Sequence, residues 1–146
     1  MKKVGILLLM FVLIFSLIGC TLKAERTEKT STRLKEITGE IVKANIDKDG
    51  NIIIKESEIT DKVIYISYEY EGVIIGLIAV KDSKGNVKVV VNTCQSCGGS
   101  PYAYFVQVDG KIQCQNCGNM FAIDDLDNLV EDGCNPIAVE DKQTKD

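Results

Sequence analysis

Four cysteines constrain this chain more than any other feature. Cys94 and Cys97 form one Cys-x-x-Cys pair, Cys114 and Cys117 form a second, and 16 residues separate the pairs. Gly98 and Gly118 follow directly. A Cys-x-x-Cys turn aims two thiolates at one point, and the glycine lets backbone N–H groups turn toward the sulfurs without a Cβ in the way. Two such knuckles brought together make a tetrahedral four-sulfur site. Soft thiolates select Zn²⁺, iron or an iron–sulfur cluster. The competing reading is disulfides or a redox dithiol. Five cysteines lie beyond Cys20, an odd number that cannot pair completely within one domain. A Cys-x-x-Cys oxidoreductase would also open a helix, whereas these pairs follow strand-like runs. The chain has no histidine. Ser-His-Asp and Cys-His catalysis, His-ligated zinc or haem, and a Rieske centre with its two His ligands are therefore excluded.

Lys2 and Lys3 precede an unbroken apolar run from Val4 to Ile18. That is the pattern of a secretory signal and is short for a membrane-spanning helix. The run closes on Leu17-Ile18-Gly19-Cys20, which looks like a bacterial lipobox. We expect a signal peptide over 1–19 and a lipidated Cys20 as the mature first residue, with an uncleaved anchor as the alternative. Both place the domain on the extracytoplasmic face of a bacterial cytoplasmic membrane. Residues 21–35 are polar and charged and bury too little to order themselves, so 20–38 reads as a lipidated cysteine and tether. Residues 141–146 read as a disordered tail.

The body, residues 39–140, reads as mainly β. Runs rich in Ile, Val and Tyr cover Glu40–Ile46, Asn51–Lys55, Lys62–Tyr70, Val73–Val80 and Asn86–Val91. Asp49-Gly50, Glu71-Gly72, Lys84-Gly85 and Asp109-Gly110 supply turn signals. The spacing predicts a small antiparallel sandwich or barrel carrying two knuckle loops. Ile123–Leu129 predicts one short turn or helix. Net charge is −4 for the chain and −6 without Lys2 and Lys3, which gives no basic face for nucleic acid. Residues 20–93 balance 12 basic against 12 acidic side chains, while residues 94–146 hold 3 against 9. Asp124, Asp125 and Asp127 read as a solvated acidic turn. The acidic half serves solubility or offers a docking face for a basic partner. No general base is identifiable, so an enzyme is not expected.

Cys134 lies in Asp132-Gly133-Cys134-Asn135-Pro136-Ile137, a tight loop by its Gly and Pro. It reads as a further ligand, a thiol behind the ligands, or a small buried residue.

A family pattern joins these segments. Lys81-Asp82-Ser83-Lys84-Gly85-Asn86, Cys94-Gln95-Ser96-Cys97, Tyr102, Cys114-Gln115-Asn116-Cys117-Gly118 with Phe121, and Gly133-Cys134-Asn135-Pro136-Ile137 resemble the FtrD-like membrane iron–sulfur-containing domain over roughly Gly39 to Val139. Departures are Asp132 where that family often has Gly, Ala138 where it often has a second Pro, and Ser100-Pro101-Tyr102 in place of Gly-Tyr. The resemblance implies an iron–sulfur protein associated with iron uptake through a ferrous permease, and it implies a functional part for Cys134. The order of strands and knuckles also looks like that of a Rieske domain, with Cys in place of His. Three functions are then open. One is electron transfer by a lipid-anchored iron–sulfur or single-iron centre with a redox partner. The second is a structural zinc module, as in zinc ribbons. The third is a carrier that hands metal to a permease. Cofactor assembly inside the cell is at odds with export of an unfolded chain, a difficulty that zinc avoids.

Overall fold

The computed structural model describes Lys35 and residues 40–140. The expected signal peptide, Cys20, the tether up to residue 38 apart from Lys35, and the tail from 141 lie outside the described residues. Ten strands and two short 3-10 turns, Glu56–Glu58 and Ile123–Asp125, make up the described regular structure. No helix among the described residues is long and apolar enough to cross a membrane. The strands are β1 (Ile41–Lys43), β2 (Asn45–Ile46), β3 (Ile52–Ile53), β4 (Ile64–Tyr70), β5 (Val73–Lys81), β6 (Val87–Val91), β7 (Phe105–Val108), β8 (Lys111–Cys114), β9 (Met120–Ala122) and β10 (Ile137–Ala138).

The mainly β expectation holds. A five-stranded sheet has the order β1-β4-β5-β6-β10, a three-stranded sheet runs β7-β8-β9, and β2-β3 form a separate ribbon. All pairs are antiparallel except β1 with β4, where Ile41 lies opposite Tyr65 in a parallel register. The run Glu40–Ile46 is thus two strands. It breaks at Ala44, whose N–H bonds the Ser67 carbonyl, and the chain then leaves the large sheet for the ribbon.

Side-chain alternation along β4, β5 and β6 gives the large sheet two apolar faces. Tyr65, Ile78, Val80 and Val90 pack with Phe105, Val106 and Ile112 of the small sheet, which makes the sandwich. Ile66, Leu77 and Ala79 pack on the opposite face with Ile59, Ile52 and Ile54. Fully burying a side chain such as Phe105 stabilises by about 1.5–3 kcal/mol. Two polar residues tie the sheets together. The Tyr65 hydroxyl accepts the Gln107 N–H at 2.9 Å, and the Gln107 side chain accepts from Val63 N–H at 2.9 Å and donates to the Asp61 carbonyl at 2.8 Å.

The sequence Asp-x-x-Gly-Asn occurs twice, at Asp47–Asn51 and Asp82–Asn86, and folds the same way each time. One carboxylate oxygen accepts the N–H of the residue two on, at 2.8 Å from Asp49 and 2.9 Å from Lys84. The same oxygen accepts the Asn N–H at 2.8 Å in both turns, and the other accepts the Asn amide at 2.9 Å. The second turn also anchors the acidic loop. Ser83 donates its N–H and hydroxyl to Asp124 at 2.8 and 2.7 Å. Lys88 points into the core side of β6, with its side chain 8% exposed, between Asp82 at 3.5 Å and Asp127. Asp124 and Asp127 are therefore bound groups at the end of the sandwich away from the cysteines. Both remain exposed, so the acidic turn is solvated as read and is anchored as well.

The Asn86 amide, chiefly, holds the Asp82 carboxyl down at about 2, with the Asn86 and Lys84 N–H groups and the Lys88 ammonium adding to it. A carboxyl depressed on folding contributes stability above its ordinary value of 3.8, and that contribution is lost as pH falls through about 2. We expect the urea midpoint to fall between about pH 4 and pH 2. Asp82→Asn should start lower and lose less across that window. Parallel slopes in the two proteins would remove Asp82 from the explanation.

Candidate metal centre

Both knuckles sit at one end of the sandwich because their strands end there. β6 runs through Asn92 and Thr93 into Cys94. β8 ends at Cys114, opposite Phe105. The Asn92 side chain accepts the Phe105 N–H at 2.7 Å, joining the last residues of the large sheet to the first strand of the small one. Cys94 N–H bonds the Ala103 carbonyl at 2.9 Å and Cys114 N–H the Asn119 carbonyl at 2.9 Å, so each first cysteine is fixed by a ladder-like bond. Cys97 N–H then returns to the Cys94 carbonyl at 3.2 Å, and Gly118 N–H to the Cys114 carbonyl at 2.9 Å. Gly118 has φ 73, the left-handed turn that Gly adopts at least cost. In the first knuckle that conformation falls on Gly99, φ 89, rather than on Gly98.

The four sulfurs of Cys94, Cys97, Cys114 and Cys117 all lie within 4.8 Å of one another. Cys94 and Cys114 are buried, Cys97 is half-buried and Cys117 is exposed. Burial pushes the Cys94 thiol well up, and burial likewise raises Cys114. The Asn116 side chain, foremost, lowers Cys97. Asn116 is oriented for this by Ser100, whose hydroxyl donates to the Asn116 amide oxygen at 2.7 Å and leaves the NH₂ for the sulfur. One knuckle thus supports the charge of the other.

Four soft donors, spaced this closely and free of disulfides, fit one tetrahedral ion. A zinc–sulfur bond of about 2.3 Å places the sulfurs of a tetrahedron roughly 3.8 Å apart. The same four thiolates are also the donor set that would hold an iron–sulfur cluster.

Cys134 is exposed and is not one of these four. Its loop is nevertheless clamped to both knuckles. Gln95 N–H bonds the Asn135 carbonyl at 3.1 Å and Ser96 N–H the Gly133 carbonyl at 3.2 Å. The Gln95 amide donates to Pro136 at 3.0 Å and accepts Asp132 N–H at 3.0 Å. From the second knuckle, Asn119 donates to the Cys134 carbonyl at 2.8 Å. The sequence pattern does not disclose Gln95, Ser96 or Asn119 as parts of the site, because polar residues in a knuckle carry no periodicity.

A family model described as membrane iron-sulfur containing protein FtrD-like matches residues 59–146, more than half of the chain. The chain belongs to the FtrD-like family. No curated protein and no solved structure matches it. The FtrD-like match begins at Ile59, so β1, β2 and β3 stand before it, although the likeness read from the sequence extended back to Gly39. Two residues of the FtrD-like pattern now have physical reasons. The Lys-Asp-x-x-Gly turn is the anchored turn around Asp82. The position before Gly133, often Gly in FtrD-like chains, has φ 55 here, and Asp is one of the few other residues that tolerates it.

Proposed function

We propose that this domain holds redox-active iron in the thiolates of Cys94, Cys97, Cys114 and Cys117 and passes single electrons at the outer face of the bacterial membrane, as part of iron uptake. The convergence of four sulfurs in a chain of an iron–sulfur family carries the reading. Bound iron would supply one-electron chemistry there. Thiolate ligation requires each cysteine to give up its proton, and the Asn116 amide favours the charged form of Cys97. The buried pair keeps water from one side of the site, and Cys117 opens the other. The domain has no substrate chemistry of its own in this reading, and a ferrous permease or redox partner is its counterpart.

Protein prepared without oxygen should absorb in the visible, bleach with dithionite and recover on oxidation. Its spectrum also decides between a single iron and a cluster. Any Cys→Ser change among the four should remove most of that absorbance, whereas Cys134→Ser should leave most of it. One colourless zinc per chain, with no uptake of iron on reconstitution, would establish the structural zinc module instead.

We further propose that Cys20 carries a lipid anchor, on the basis of the Leu17-Ile18-Gly19-Cys20 junction. Cys20→Ala should move the protein out of the membrane fraction. Unchanged mass and fractionation in that variant would exclude the anchor.

A further inference from the structure

We infer that the cysteine end of the sandwich is a docking face for a lysine- or arginine-rich electron-transfer protein. The inference rests on the electron-transfer reading above. Cys117 is the most exposed of the four cysteines, so it is the shortest route out of the site. Three large apolar side chains are exposed on the segments that carry or clamp the knuckles: Tyr102, Met120 and Val130. Each is held at the cysteine end by a hydrogen bond of its own backbone or of its neighbour. Tyr102 N–H bonds Ser100, whose hydroxyl reaches Asn116 beside Cys117. Met120 follows Asn119, which holds the Cys134 carbonyl at 2.8 Å. The Val130 carbonyl accepts from Gln95 at 3.3 Å. Together they offer apolar area on which a partner can seat beside the exposed cysteine.

Charge selects the occupant. Glu131 and Asp132 are exposed on the loop clamped to the first knuckle. Between residues 94 and 135 the only basic residue is Lys111, and it begins β8 at the end away from Cys114. Exposed apolar residues beside acidic ones, with no basic residue on either knuckle or on the clamped loop, complement a basic ring around a partner's own exposed centre. Small, partly apolar patches of this kind suit the weak interfaces of redox encounters, below about 1,200 Å². In the encounter one electron leaves the reduced iron–thiolate centre and reduces the partner's metal, and no bond or proton is exchanged.

A lysine-rich c-type cytochrome serves as the test acceptor, mixed anaerobically with dithionite-reduced protein freed of excess reductant. One electron then converts ferric to ferrous haem. The second-order rate should fall roughly ten-fold or more from low to high salt. Glu131→Gln with Asp132→Asn should lower the low-salt rate roughly three- to ten-fold and flatten the salt dependence. The visible spectrum should not change, because Asp132 serves the clamp through its backbone alone. Tyr102→Ser with Met120→Gln should lower the rate at every salt concentration. Ferricyanide, an anion, should show no fall with salt. A protein that bleaches with dithionite, yet reacts with the cytochrome at a rate indifferent to salt and to these substitutions, overturns the docking face alone. A protein that never bleaches overturns the electron-transfer reading and the face with it.

Discussion

Cys114→Ser is expected to abolish metal binding and to lower the thermal midpoint by roughly 5–20 °C even in metal-free protein. Two effects act together. The first is loss of one of four ligands from a site whose binding free energy, for comparable thiolate sites, is on the order of 10–16 kcal/mol. The second is burial. Cys114 has no solvent exposure and packs in the main core with Phe105 and Ile112. A hydroxyl in that place loses its water partners, at a cost of about 1–3 kcal/mol. Cys117→Ser separates the effects, because Cys117 is exposed. It should lose the metal equally while leaving the metal-free midpoint where it was. Calorimetry of both variants with and without metal measures the difference. Equal midpoints for the two metal-free variants would show that burial of Cys114 contributes nothing.

Gly133→Ala is expected to cost about 1–3 kcal/mol, with the loss concentrated in the Cys134 loop. A Cβ at position 133 would lie 2.1 Å from the Asn135 side-chain oxygen and 2.6 Å from a Val130 methyl. Val130 is exposed and can turn away. Asn135 is 2% exposed, and its amide donates to the Pro136 carbonyl at 2.8 Å, so it has nowhere to go. The cycle with Asn135→Ala isolates the clash. Gly133→Ala/Asn135→Ala should be no less stable than Asn135→Ala alone, as measured by urea unfolding. Simple additivity of the two losses would place the cost elsewhere.

The knuckles were legible because their chemistry is local: two residues between cysteines and a Gly after them fix where the sulfurs point. The longer strands were legible for a similar reason. Lys62–Tyr70, Val73–Val80 and Asn86–Val91 alternate between β-branched or aromatic residues and Gly turns, and they fold as β4, β5 and β6 nearly as read. What escaped the sequence depends on distant partners. β9 and β10 have three and two residues, too short for any period, and exist because β8 and β6 offer them an edge. The parallel pairing of β1 with β4 has no local signature either. Lys88 sits in Val-Lys-Val-Val-Val, where alternation alone cannot say which face is the core. Its burial follows from Asp82 and Asp127, which stand 6 and 39 residues away in the chain.

The paired Asp-x-x-Gly-Asn turns bear on the order in which the chain assembles. Each turn closes its side-chain bonds within five residues, so it needs nothing from the rest of the domain to form. Hairpins with a preset turn zip away from it, since each new pair closes only a short further loop. Zipping β5 onto β6 from Asp82–Asn86 proceeds toward Val91 and delivers Cys94 at the end of the run. The thiols then meet on a scaffold already in register. In a small zinc finger the metal organises the chain; here the strands that carry the cysteines have a core and a register of their own. A site placed in this way should keep the same strand register with and without metal, unlike a fold that the metal itself nucleates.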